Sequence, residues 1–413
     1  MKPEKNNTYC KYPFRELAMK EWQGSTLQAA WPCCMMGNIR NQDGSVNNIG
    51  INNIKDLTPD EIFNHPRIND LRNNLLTGVK DDACKVCWDQ ESRGLNSFRL
   101  FSDDDYGYED TGLSVVDITA STACNLRCRM CTPMSSNSLM IDWDFFEKME
   151  GEMNFQISQE TKFWAHIKPE PIRATDSIQW NWLMENTDKI KVIKASGGEP
   201  FYDKKVVKLI DRYIETGNAK NTILTFHTNG TLINDEIIEK LNHFKKNVHN
   251  FSIDGFGKTY DYIRYPANFE ELDLTLRNYF SKIKSVDFFR VALVLTSLNL
   301  LVIPEYIKWI RSIWNKSSIT FSEAYGLDRG TSIKRLPISI LSVAKENVLP
   351  FLYNERGDVD HKIQNLIQQI DNAISDNQEN KELMLKEIGY FDLSRNQNFK
   401  DYLHPLLVDW LTS

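Results

Sequence analysis

Apolar positions along the chain fall into two rhythms. "LSVVDITA" (113–120) is a short apolar run of strand length, bounded by turn residues. "IKVIKAS" (190–196), "TILTFHTNG" (222–230), "HNFSIDG" (249–255), "FFRVALVLT" (288–296) and "SSITFSEA" (317–324) read the same way. Between them the spacing turns helical. In "DKKVVKLIDRYIETG", Val206, Val207, Leu209, Ile210 and Ile214 recur on one face, and "NDEIIEKLNHF", "FEELDLTLRNYFSKI" and "IPEYIKWIRSIW" fill later gaps. Six β-α repeats predict a parallel sheet with helical crossovers, as an open doubly wound sheet or an incomplete barrel. Both place chemistry at the C-terminal ends of the strands. The unusual residues sit where that rule puts them: a cysteine loop after the first strand, then "GGEP", "TNG", "SIDG" and "TSLN" after the next four. Residues 1–111 do not share the alternation and hold most of the cysteines. Residues 331–413 read as helical. No internal repeat is visible beyond the β-α alternation.

Composition narrows the class. A chain of 413 residues allows two or three domains, and 41% hydrophobic with 25% charged residues is ordinary for a soluble globular protein. No apolar run of about 20 residues predicts a membrane span. The start, "MKPEKNNTYCKYPF", lacks an apolar signal core, so a cytoplasmic location is expected. A net charge of −7 argues against strong nucleic-acid binding. The basic cluster "HFKKNVH" (243–249) reads as a solvated helix end. All eight cysteines precede residue 132: Cys10, Cys33, Cys34, Cys84, Cys87, Cys124, Cys128 and Cys131. In a reducing compartment such clustering predicts metal ligation rather than disulfides.

The sharpest motif is "ITASTACNLRCRMCTP" (118–133), a C-x3-C-x2-C array. Structural zinc takes four ligands and disulfides use cysteines in pairs. Three thiolates on a four-iron cubane leave one iron open to a small molecule. Zinc completed by a distant histidine is the alternative that the residues alone leave.

"CNLRCRMC" followed 66 residues later by "GGEP" resembles the radical S-adenosylmethionine (SAM) enzymes. The resemblance covers roughly 113–326. It implies a partial (β/α)6 TIM-like barrel at 112–330, with a cysteine-rich module at 1–111 and a helical extension at 331–413. It implies a [4Fe–4S] cluster on Cys124, Cys128 and Cys131, whose open iron chelates SAM. Reductive cleavage then gives a 5′-deoxyadenosyl radical that abstracts hydrogen from the substrate, and the electron comes from a donor such as flavodoxin or ferredoxin. The same resemblance assigns SAM contacts to Gly197, Gly198 and Glu199, with Pro200 fixing the turn. It extends them to Asn229 and Thr228, to Ser252 and Asp254, to Arg264 for the carboxylate, and to Asn299 on the adenine side. Turn and cap roles compete at Asn229, Asp254 and Asn299. Met130 departs from the aromatic residue often found there. No catalytic residue of the chain itself is assigned.

The N-terminal cysteines resemble the auxiliary-cluster modules called SPASM and twitch: a lone Cys10, then "PCC" with "GNI" nearby, then "CKVC". In those families the module usually follows the radical domain, whereas here it precedes it. The resemblance implies a second [4Fe–4S] cluster on Cys10, Cys33 or Cys34, Cys84 and Cys87, the preceding proline favouring Cys33; four-cysteine zinc is the alternative. A peptide or protein substrate is expected, with sugar or nucleotide modification next. A non-catalytic iron–sulfur protein remains the reading from a different class. No cobalamin-binding pattern supports a methyltransferase, and no segment resembles a leader-peptide recognition domain. Trp164, Trp180 and Trp182 mark an insert (163–186) that reads as a packed helical layer or a substrate cap. His227, Glu323 and Tyr325 are further candidates near strand ends.

Overall fold

The structure, a computed structural model, describes residues 7–21, 28–33, 35–36, 56–92, 97–100, 112–119, 121–133, 135–145, 177–286, 289–314, 317–323, 330–353 and 357–413. Its strands are β1 (Glu16–Glu21), β2 (Gln28–Trp31), β3 (Val115–Thr119), β4 (Val192–Ser196), β5 (Ile223–Thr228), β6 (Lys246–Ser252), β7 (Phe289–Leu295) and β8 (Ser317–Glu323). Within the first unit the strand order is β2-β1-β3-β4-β5, and within the second β6-β7-β8. The α/β class and all six expected strands are present. β1 and β2 were not expected. The strands carry the burial of a sheet covered on both faces: in β5 only His227 is exposed.

The chain divides into two compact units. The first comprises 1–122, 170–226 and 240–247. Within it β1, β3, β4 and β5 run parallel, with Glu16 opposite Val115, Val115 opposite Val192, and Val192 opposite Ile223. β2 lies antiparallel on β1. Buried Glu16 pairs with Lys194 at 2.8 Å, which satisfies a carboxylate inside the sheet. Helices α1 (Pro59–Phe63), α2 (Pro66–Leu76) and α3 (Lys85–Ser92) follow β2. Thr58 and Glu61 form a capping box on α1. Asp81 ties α2 to the turn before α3 through a two-pronged pair with Arg67. In α4 (Ile178–Glu185) Trp180 and Trp182 are buried, as a packed helical layer requires; Trp164 lies outside the described residues. α5 (Lys204–Glu215) is capped by Asp203 and buries Val206, Leu209, Ile210 and Tyr213.

The second unit comprises 123–169, 227–239 and 248–413. Here β6, β7 and β8 run parallel, with His249 opposite Phe289 and Phe289 opposite Ser317. The helices are α6 (Asp235–Asn242, which crosses the unit boundary), α7 (Gly257–Ile263), α8 (Phe269–Lys282) and α9 (Ile303–Ile313). The C-terminal segment adds α10 (Ile338–Val348), α11 (His361–Ser375), α12 (Lys381–Arg395) and α13 (Pro405–Thr412). Among the described residues no helix is long and apolar enough to cross a membrane.

Candidate active site

The cysteine loop is built from its backbone outward. Cys124, Leu126 and Cys128 are buried together, and Met130, Cys131 and Ala267 pack against them. Leu126 N–H donates to Cys124 Sγ at 3.4 Å. Ser138 Oγ donates to the Cys124 carbonyl and Ser136 Oγ to that of Leu126. Arg127 and Arg129 N–H groups bond the carbonyls of Tyr265 and Ile263 at 2.7 and 2.9 Å. The loop's buried polar groups are thereby held by the chain around it.

Two groups expected to touch SAM also serve this loop. Buried Asn229 donates from Nδ2 to Asn125 Oδ1 at 2.9 Å, and that nitrogen lies 4.0 Å from Cys124 Sγ. Its Oδ1 accepts from both the N–H and the hydroxyl of Thr231. Arg264 donates from Nε to Asp254 Oδ2 at 2.6 Å, and Asp254 also accepts from Val294 N–H. Burial opposes the Arg264 charge, but Asp254 and the sulfurs of Cys128 and Cys131 overcome it, and its pKa moves up. A hydrogen bond from Cys131 makes Cys128 the more acidic thiol, helped by the charge of Arg264. The same bond, with burial, pushes Cys131 up.

The other expected residues have definite places. Gly197 is exposed with φ +117°, and a Cβ there would lie 2.7 Å from the Ser121 carbonyl oxygen. The glycine is therefore required by the chain's own close approach after β3. Gly198 N–H donates to that carbonyl at 3.0 Å. Glu199 is buried and accepts from Phe201 N–H, with Pro200 buried beside it. Ser252, at the end of β6, is half-buried. Thr228 accepts from Gly230 N–H. Asn299 makes no side-chain cap. It accepts from Thr296 N–H and donates to the carbonyls of Val294 and Asp254, stapling the end of β7. His227 is exposed. Glu323 ends β8, while its side chain and Tyr325 lie outside the described residues.

In the first unit, Cys10, Cys33, Cys84 and Cys87 line one small pocket, with Met36, Phe98 and Arg99 among its other walls. Burial pushes the Cys10 thiol up to about 12 and raises Cys84 further. Arg99 is fixed by Glu91 at 2.7 and 2.6 Å and by the carbonyls of Tyr9 and Asn7. Cys34 lies outside the described residues. Among the described residues no three His, Cys, Asp or Glu side chains converge as a single-ion site requires. A cubane asks for something else, thiolates spread around a cluster with each on its own iron.

Residues 118–306 match the model of the radical SAM superfamily. Over this segment the chain is similar to the radical SAM domains. No curated protein matches the chain in sequence. Among solved structures, Streptococcus suis SuiB bound to S-adenosylmethionine is similar over 68% of this chain and 50% of that one, at 14% identity and a TM-score of 0.34. For SuiB bound to precursor peptide SuiA the figures are 70%, 53%, 15% and 0.35. For SuiB alone they are 71%, 59%, 13% and 0.35. The chain thus spans 50–59% of the length of these SuiB chains. The matched segment contains the cysteine triad and Gly197, Gly198, Glu199, Asn229, Ser252, Asp254 and Arg264. The five N-terminal cysteines precede it.

The donor chemistry around the triad fits a cluster: three buried or half-buried thiols on one loop, with a guanidinium close enough to stabilise their charge. Sequence reading missed several groups in this unit. The hydroxyls of Tyr260, Tyr306, Thr296 and Ser297 are buried without a hydrogen-bond partner among the described residues. The two phenols lie within electrostatic reach of Asp254 and Arg264, and burial raises both. Such orphaned donors suit a polar ligand. Arg127 and Arg129, between the cysteines, are also held by side chains far along the sequence; their positions beside Cys128 were the only available signal.

Proposed function

We propose that this protein is a radical SAM enzyme. In this reading Cys124, Cys128 and Cys131 hold a [4Fe–4S] cluster, and the substrate is a peptide or protein. When bound, the cluster and SAM supply a 5′-deoxyadenosyl radical able to remove hydrogen from an unreactive carbon. The chain's own residues bind and orient. Arg264, steadied by Asp254, offers its remaining donors to the SAM carboxylate. Gly197, Gly198 and Glu199 receive the amino group, and Ser252 with the buried hydroxyls serves the remaining polar atoms. Asn229 acts on the loop, fixing Asn125 beside Cys124. The apolar packing of Leu126, Met130 and Ala267 excludes water from the thiolates.

Cys10, Cys33, Cys84 and Cys87 hold a second, fully ligated cluster in a SPASM/twitch-like module at 1–111, suited to accepting an electron from the substrate radical. Residues 112–330 are the catalytic domain and 331–413 an extension. A flavodoxin or ferredoxin supplies the reducing electron in the cytoplasm. The observation that carries this reading is the C-x3-C-x2-C loop, its sulfurs gathered beside Arg264 inside the matched domain.

The test is anaerobic release of 5′-deoxyadenosine from SAM by reconstituted protein. Wild type should release it, and Cys124→Ala/Cys128→Ala/Cys131→Ala should not, with iron falling from roughly eight to roughly four per chain. Iron-loaded wild type that releases none, with a range of peptides present, would point instead to a non-catalytic iron–sulfur protein.

A further inference from the structure

We propose that α12 is part of the cluster site. Its Asp392 fixes the loop between Cys128 and Cys131 through Arg129, and its Tyr390 and Phe391 wall in Cys131. This rests on the reading that the triad holds a cluster.

Arg129 stands one residue after Cys128 and is buried. Its Nε donates to the Tyr262 carbonyl at 2.9 Å, and Nη2 donates to Asp392 Oδ1 at 2.6 Å. The guanidinium carbon lies 3.5 Å from the centroid of the Tyr262 ring. Asp392 is committed in turn, accepting from the Tyr262 hydroxyl at 2.6 Å and from Phe399 N–H at 2.8 Å. On the other side of Cys128, Arg127 pairs with Asp142 at 3.4 Å. Asp142 is fully buried and is shared with Arg395 at 3.0 Å and with the Ser394 hydroxyl. Both arginines that flank Cys128 therefore reach α12, one directly and one through Asp142. Leu139, Trp143, Tyr390 and Phe391 form one buried group, with Cys131 packed against it.

Apolar side chains would fill this space at less cost than buried charges. What a planar guanidinium adds is direction: its fork and its stacked face accept only one orientation of the loop that carries it.

The test follows the two clusters separately in reduced protein. SAM shifts the electron paramagnetic resonance signal of the triad cluster only, and a chelator removes iron from both. In Asp392→Asn the SAM-responsive signal should decay at least about tenfold faster than in wild type, because a buried guanidinium loses its carboxylate. The SAM-silent signal should decay at the wild-type rate. Asp392→Glu should recover most of the difference. Glu387→Gln, on the same helix but facing Thr331, should leave both rates unchanged. Wild-type decay of both signals in Asp392→Asn overturns the proposal, and so does equal acceleration of both, which marks general loosening. Wild-type protein with no SAM-responsive signal would remove the triad reading itself, and this inference with it.

Discussion

Gly197 has a carbonyl oxygen where its side chain would be, and a φ that L residues avoid. Gly197→Ala should cost at least about 2 kcal/mol of stability, the sum of left-handed backbone strain and overlap with Ser121. Denaturant unfolding against wild type measures it, and an unchanged midpoint would show that the β3 and β4 ends can move apart. The residue scale is also where the sequence was most legible. Cysteine is uncommon and its spacing is rigid, so the triad could be read without coordinates. Gly197 stood out as well, but for another reason: sequence suggested room for a ligand, and the close neighbour is Ser121. Arg127 and Arg129 were illegible. Charged loop residues are normally solvated, and nothing local in "NLRCRM" announces a carboxylate on α12.

At the scale of elements, β6 carries a group that makes the second unit sensitive to acid. His249 is buried, bonded to the Tyr279 hydroxyl and edge-on to Phe251. Burial lowers its pKa well below 6.5. The unfolded chain takes up this proton near pH 6.5 while the folded one does not, so the stability is fully present above that pH and drains away below it. The slope is about 1.4 kcal/mol per pH unit below pH 6.5 until the folded imidazole itself titrates. His249→Phe should flatten the pH 5 to pH 7 difference in unfolding free energy; an unaltered slope would assign it to other groups. β6 itself was readable, as were the strands whose apolar runs were long. β1 was not, because "ELAMKE" opens on an acid that reads as surface. Glu16 is inside because Lys194, on β4, meets it there. Propensity sees one strand at a time, and this pairing spans two.

For the whole molecule, the two cysteine sets fall in different compact units, Cys10, Cys33, Cys84 and Cys87 in one and the triad in the other. Their losses should therefore be separable. Cys84→Ala/Cys87→Ala should lower iron by about half, to roughly four per chain, and leave SAM cleavage by the triad intact. Loss of cleavage together with that iron would show that the first site supports the second. The fold class was legible at this scale because parallel strands and crossovers leave a periodic trace. The role of the C-terminal helices was not, since it depends on contacts between segments hundreds of residues apart.

Arg129 and Asp392 are separated by 263 residues. At about 5–20 residues per second, a ribosome finishes the cysteine loop roughly 13–50 s before it makes the carboxylate that pins it. Through that interval the nascent thiol of Cys131 stands without the wall of Tyr390 and Phe391. Iron delivered during synthesis meets a loop that can still take other shapes; iron delivered after release meets a finished socket.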